Sequence, residues 1–205
     1  MKNAQLHCHT TSSIFDGIGQ PKEYIDYVRE TGADAIAFTE HGNMSSFPHY
    51  YLYSEKLKKQ GEKFKTIPGV EAYFIQSLDD WQKLYVLEKE EKALSKTRVK
   101  KDDSEGLIYE NEDDTKKIAG AKVVDENSLK HRNHLILLAK TNAGMQSMFS
   151  LVSKSFKNGF YKYPRIDFKA LEEHNKEKNI ICLSGCVAGP FSSTIARLSH
   201  QNKSY

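Results

Sequence analysis

Near the start of this chain stand three residues whose types and spacing could bind a metal: His7, His9 and, on what reads as a loop, Asp16. Side chains alternate across a β-strand, so a strand through residues 6–10 turns His7 and His9 to one side and Cys8 to the other. Two imidazoles then converge on a point that a nearby carboxylate can also reach. A His-His-Asp set suits zinc, manganese or iron rather than calcium, which prefers an all-oxygen cage. Two histidines on one strand face can equally be polar residues at a rim, and the pair alone does not decide between these readings.

The elements that must position these residues follow from the pattern downstream. Pro21 sits at a first helical position, Ile25 and Val28 give a buried stripe, and Gly32 ends the helix, predicted over about residues 21–31. Residues 35–39 are a short apolar run of strand length, making a β-α-β unit with parallel strands and an outer helix. Chemistry in such units gathers at the strand ends. There the chain reads Thr39-Glu40-His41-Gly42-Asn43, a second histidine where the architecture expects one. Ser46 is placed to cap a second helix, with Pro48 in its first turn, Tyr50, Tyr51 and Leu57 as contacts, and Gly61 closing it. Residues 67–75 read as a strand carrying Glu71 among apolar neighbours. A buried carboxylate there is costly unless paired, protonated or bound to a metal, and the alternative is a glutamate facing outward.

At 205 residues the chain can build one sizeable core, and its three cysteines do not make a disulfide framework. A net charge of +3 does not by itself announce nucleic acid, and no apolar run reaches membrane-spanning length. A soluble, cytoplasmic chain with no membrane partner is expected. Residues 77–132 change character to mixed charge, helical around 81–94 and then too poor in apolar surface to order, so a mobile insertion is expected between segments 1–76 and 133–205. The fold resumes with a buried strand beginning at His134, then a helix striped by Met145, Met148, Phe149 and Val152. In residues 156–165 basic and aromatic side chains interleave. Lys157, Lys162 and Arg165 could pair with phosphates there, or the segment could simply pack under a loop. Asp167 is placed to cap a short helix, and a last strand at 180–183 runs into a Gly-flanked turn with Cys186 at its exit. Cys182 and Cys186 are four apart and would be adjacent only on a helix, so they do not read as a metal-binding pair.

Taken together, His7-Cys8-His9, Phe15-Asp16-Gly17, Thr39-Glu40-His41-Gly42-Asn43-Met44, Pro68-Gly69-Val70-Glu71-Ala72-Tyr73, His134-Leu135-Ile136-Leu137-Leu138-Ala139-Lys140, Pro164-Arg165-Ile166-Asp167 and Leu183-Ser184-Gly185-Cys186 come in an order that resembles one family. It is the polymerase and histidinol phosphatase (PHP) domain, in the form found at the N-terminus of bacterial DNA polymerase III alpha subunits. The resemblance implies an α/β fold, a distorted (βα)7 barrel with two or three divalent ions, zinc or manganese, at its rim. Carried over by position, it implies His7, His9, Asp16, His41, Glu71, His134 and Cys186 as metal ligands, with Glu71 bridging two ions. Glu40 stands where the family usually has aspartate and is expected to orient His41 from behind. No Asp-x-His follows Cys186, so the chain resembles a PHP barrel whose C-terminal strands are missing: a fragment, one part of a split polymerase, or a chain whose remaining strands come from a polymerase segment or subunit in trans.

What the family implies about activity is metal-dependent phosphoesterase chemistry, in particular 3′-5′ exonuclease cleavage of DNA within a replicative DNA polymerase. A catalytically silent module that contacts other replisome subunits is the alternative from another class, and a free-standing phosphatase acting on a small phosphomonoester is the third.

Overall fold

The computed structural model describes residues 3–102 and 129–201, and these divide into two compact units, residues 1–76 with 132–205 and residues 77–131. In the first unit the order is β1 (Ala4–Gln5), α1 (Pro21–Glu30), β2 (Ala35–Phe38), α2 (Phe47–Lys59), β3 (Lys65–Phe74), β4 (Asn133–Ala139), α4 (Asn142–Asn158), β5 (Phe160–Tyr161), β6 (Tyr163–Ile166), α5 (Phe168–His174), β7 (Ile180–Leu183) and α6 (Pro190–Gln201). The second unit contains α3 (Leu78–Asp102), which extends further than the predicted helix around 81–94, and Trp81 Nε1 donates to the Leu129 carbonyl at 3.1 Å. The stretch expected to be mobile lies mainly at 103–128, outside the described residues.

The strands form a curled mixed sheet, a half-barrel ordered β1-β2-β3-β4-β7. Strands β1, β2 and β3 are parallel, as the β-α-β reading requires, but β4 is antiparallel to β3 and β7 antiparallel to β4. The long strand β3 makes the curl. Its first residues pair with β2, Phe38 opposite Pro68, while its last two, Tyr73 and Phe74, pair with Arg165 and Ile166 of β6.

Alternation along the strands sorts the side chains into two layers. On the outer face Val70, Ala72 and Phe74 of β3 join Leu135 and Leu137 of β4 against Met148 and Leu151 of α4. Ile36 and Phe38 of β2 pack with Ile25, Val28, Tyr50 and Leu57 of α1 and α2, so the predicted stripe of α1 is its buried face. Tyr51 is half exposed instead, because it lies one position off the Tyr50–Leu57 stripe. Ser46 occupies the cap position of α2 but makes no side-chain cap bond, whereas Asp167 Oδ1 does cap α5 through the Ala170 N–H at 2.8 Å. On the inner face lie Ala37, Ile136 and Leu138, and the alternation that puts them there also puts Glu71, Tyr73 and His134 there.

Candidate metal centre

Strand direction explains how residues far apart in sequence meet. One edge of the sheet receives the chain leaving β1, β2 and β7, and the same edge is where antiparallel β4 begins. Residues from strand exits (His9, His41, Cys186) and from a strand entry (His134) therefore share it. Ladder-assigned β1 is only two residues long, shorter than the predicted strand, yet the chain stays extended beside β2. Thr39 N donates to the Cys8 carbonyl at 2.9 Å, and Cys8 N to Thr39 Oγ1 at 3.0 Å. Cys8 thus packs outward toward α1 and α2 while His7 and His9 turn inward, their Nε2 atoms 2.9 Å apart.

Glu71 is the centre of the arrangement. It is 1% exposed, which excludes the outward-facing reading of this residue. Its Oε2 lies 3.1 Å from His7 Nε2, 2.9 Å from His9 Nε2 and 3.2 Å from His41 Nδ1. Its Oε1 lies 2.7 Å from His134 Nδ1 and 3.9 Å from Cys186 Sγ, and Cys186 Sγ is 3.7 Å from His134 Nδ1. The two oxygens thus address two different groups of donors. Asp16, half exposed on its loop, brings Oδ2 to 2.8 Å from His41 Nε2 and 3.8 Å from His9 Nε2. All seven residues singled out in the sequence meet in one cluster.

Among the described residues three overlapping triads have ligand atoms within 4.8 Å of one another: His7-His9-Glu71, His9-Asp16-His41 and His41-Glu71-His134. Ligands each about 2.1 Å from a tetrahedral ion lie roughly 3.4 Å apart, close to these separations. His41 Nδ1 supplies a second sign that cations belong here: it is buried, has no hydrogen-bond partner, and faces the carboxylate at a distance without the alignment of a hydrogen bond. Burial raises the Glu71 pKa, but hydrogen bonds from His134, His7 and His9 outweigh it and hold the carboxyl far below the usual carboxylate range. The bond to Glu71 pushes the His7 imidazole above its ordinary value, with burial opposing and the charges of Glu71 and Asp16 adding to the rise. A donor set of imidazoles, carboxylates and one thiol fits a divalent transition metal.

Behind the cluster, Glu40 is fully buried, but its carboxylate does not reach the His41 ring as expected. It accepts from Thr10 N at 3.0 Å, Thr10 Oγ1 at 2.6 Å and Ser13 Oγ. Ser13, its proton given to Glu40, can then accept from the backbone N–H of His41 at 3.1 Å and from His9 Nδ1 at 3.1 Å. With a cation at the cluster, that bond would keep a proton on His9 Nδ1 and turn the Nε2 lone pair to the ion, whereas in the metal-free chain Nε2 bonds Glu71. Glu40 therefore acts on His9 through a hydroxyl. Thr10 and Ser13 were missed because their neighbours Thr11 and Ser12 look the same in sequence and only burial separates them. Replacing Ser13 by Ala is expected to weaken metal binding about 10- to 100-fold, read by competition with a chelating dye, with the circular dichroism spectrum unchanged.

The residues proposed for nucleic acid separate. Lys157 and Lys162 are exposed. Arg165 is 0% exposed, its Nη1 donating to the Tyr161 and Tyr163 carbonyls at 2.8 and 2.9 Å, so it is a core residue that no phosphate reaches. Burial, with the Arg132 charge nearby, lowers its pKa to about 10. Among the described residues no helix is long and apolar enough to cross a membrane.

Comparison with known proteins places this geometry. The DNA polymerase III subunit alpha of Campylobacter jejuni is 30% identical over 197 residues, covering 96% of this chain and 12% of its own length. That of Deinococcus radiodurans is 30% identical over 190 residues, 91% of this chain and 11% of its own. The chain thus spans only about an eighth of the curated relatives it matches. A solved structure of a candidate metal-dependent phosphoesterase from Bifidobacterium adolescentis covers 76% of this chain and 34% of its own, at 13% identity and a TM-score of 0.38, a likeness too loose to build on. The family model described as the PHP domain matches residues 5–205, and the chain belongs to the PHP domain family.

Proposed function

We propose that this chain is the PHP module of an alpha-type replicative DNA polymerase, and that its cluster binds two or three divalent ions and hydrolyses phosphodiesters at 3′ ends of DNA. The single observation that carries the reading is the buried Glu71 carboxylate, whose two oxygens face separate groups of imidazole and thiol donors. His7, His9 and Glu71 would hold one ion, His134, Cys186 and Glu71 a second, and His9, Asp16 and His41 the rim between them and solvent. Divalent cations bound there supply a nucleophile from water at neutral pH and offset charge on the leaving oxygen.

The protein's own part is to hold the donors fixed. Glu71 is pinned through its backbone, its N–H to the Glu40 carbonyl at 3.0 Å and its carbonyl to Gly42 N at 2.8 Å. The loop of Asp16 is closed on Thr10 so tightly that a Cβ at Gly17 would lie 2.0 Å from the Thr10 carbonyl oxygen. Cys186 is a ligand and not a nucleophile in this scheme. A ligand thiol leaves no attacking group to be acylated or phosphorylated. The wider partners, DNA, a polymerase segment and other replisome subunits, belong to the same proposal. Phe191, Ile195 and Leu198, spaced four and three apart on α6 and exposed, offer an apolar stripe for such polypeptide.

The test is metal analysis of the purified chain, followed by assay on a single-stranded oligonucleotide, on bis(p-nitrophenyl) phosphate and on a small phosphomonoester. Bound transition metal with hydrolysis of the oligonucleotide from its 3′ end is the expected result. Hydrolysis of the monoester alone would indicate a phosphatase, and a chain without metal or activity would indicate a structural module.

A further inference from the structure

We infer that Phe15, held in a strained turn beside Asp16, is the platform on which the terminal base of a DNA 3′ end stacks while the adjoining phosphodiester lies at the Glu71 cluster. The inference rests on the phosphodiesterase reading and adds to it the element that tells a nucleic acid strand from a small phosphate ester.

The loop of residues 10–19 carries two unlike sets of side chains. Thr10 and Ser13 are buried and bonded to the Glu40 carboxylate. Ile14, Phe15 and Ile18 stand in solvent, and Phe15 and Ile18 are the most exposed large apolar side chains among the described residues. Apolar surface grouped in this way marks a contact that the folded chain does not make by itself. Backbone bonds keep the loop so. The Ser13 N–H donates to the Thr10 carbonyl at 2.9 Å, the Asp16 and Gly17 N–H groups to the Ser13 carbonyl at 3.0 and 3.1 Å, and the Thr11 N–H to the Gly19 carbonyl at 3.1 Å. Within that frame Phe15 has φ +70°, a left-handed conformation that bulky side chains rarely adopt. Asparagine or glycine would sit there with less strain, so neither backbone conformation nor burial accounts for a phenylalanine at this position.

Position names the occupant. Asp16 is the next residue, about 3.8 Å on from Cα to Cα, and its Oδ2 lies 2.8 Å from His41 Nε2. Asp16 is also the most exposed of the seven donors, whereas Glu71 is sealed behind the imidazoles, so a phosphodiester comes to the cluster across this loop. A polypeptide seated permanently on Phe15 would cover that approach. A base stacked there leaves with the product. A strand whose last phosphodiester lies at the cluster brings its terminal base beside the neighbouring residue, and a phenyl ring flanked by two isoleucines is an uncharged surface that accepts the π-face of any base. Such contact is independent of sequence, which suits chemistry on any 3′ end. A phosphomonoester without a base gains nothing from it.

The experiment compares binding of two DNA ends and needs no turnover. The metal-loaded chain is titrated into 5′-fluorescein oligothymidylates with phosphorothioate 3′-terminal linkages, one ending in thymidine and the other in an abasic tetrahydrofuran residue. Anisotropy is read over a series of KCl concentrations. The wild-type chain is expected to bind the thymidine end about tenfold more tightly than the abasic one. Phe15→Asn, which suits the positive φ, is expected to lose that preference and to bind both ends as the wild type binds the abasic one, with the salt slope unchanged because no phosphate contact is touched. Its melting temperature stays at or above the wild-type value, and its metal content per chain is unaltered. Phe15→Trp keeps the preference. A wild-type chain that binds both ends equally, or a Phe15→Asn chain that retains the preference, would overturn the proposal and leave the apolar loop to a polypeptide; the phosphoesterase reading would survive that result if bis(p-nitrophenyl) phosphate is still hydrolysed. A fall of metal content in Phe15→Asn would make Phe15 a support of Asp16 and overturn the proposal as well. A wild-type chain without metal or small-diester hydrolysis would instead remove the reading beneath it, and with it this inference.

Discussion

Glu71→Ala is expected to lower the affinity for manganese or zinc by about 100-fold or more, and metal content after gel filtration to near zero, while the far-ultraviolet circular dichroism stays that of the wild type. In the proposed ligand set one carboxylate serves both sides of the cluster, so its loss would remove a ligand from each site at once, whereas His7 or Cys186 would serve one. Glu71→Gln is expected to fall nearly as far. It preserves volume but trades an acceptor oxygen for an N–H₂ group that faces imidazoles already needing acceptors.

The pH dependence has a definite sign. In the metal-free chain the His7 pKa lies above its ordinary 6.5 because of its bond to Glu71, so the stabilisation is complete below 6.5 and is lost as pH rises through the raised value. Glu71 is depressed from 4.5, so its stabilisation is present above 4.5 and is lost as pH falls through the lowered value. The metal-free cluster is best supported between these limits, on the acid side of neutrality. In the proposed ligand set a cation takes the His7 lone pair, so metal affinity is expected to climb with pH across the neutral range until His7 has lost its proton. In Glu71→Ala the climb should centre nearer 6.5, since the bond that raised His7 is gone. Isothermal titration of manganese at a series of pH values reads both.

Arg165→Ala is expected to destabilise the fold by about 3 kcal/mol or more, seen as a lowered urea midpoint, with metal affinity lost only as the protein unfolds. The guanidinium is enclosed and its bonds hold the carbonyls of Tyr161 and Tyr163 at the turn that β6 leaves. Truncation leaves those carbonyls and a cavity behind. A nucleic-acid contact would behave in the opposite way, losing DNA binding at unchanged stability.

Arg165 also illustrates where sequence ceases to inform. Lys157, Lys162 and Arg165 look alike in a basic and aromatic segment, and nothing local says which one points inward. β6 is paired on both edges, to β3 and to β5, and that tertiary pairing decides the matter. The antiparallel course of β4 and β7 is similarly invisible, since a short buried apolar run reads the same in either direction.

What could be read was local periodicity joined to chemistry. The alternation of His7, Cys8 and His9 held even though the ladder there is short, because Thr39 bonds replace it. Ile25 and Val28 marked the buried stripe of α1 correctly, and Gly32 at φ +81° ends the turn after it. The donor residues were recognisable by type and order, yet the choice between a buried and an outward Glu71 required the fold. So did the target of Glu40, whose longer side chain reaches Thr10 and Ser13 and leaves the His41 ring alone.

The most direct measurement is anomalous diffraction from crystals grown with manganese or zinc, recorded on both sides of the metal's absorption edge. Separate peaks within bonding distance of the two Glu71 carboxylate oxygens, one beside His7 and His9 and another beside His134 and Cys186, are what the account predicts. Absence of anomalous density at Glu71, with metal found only at the surface or not at all, would contradict it.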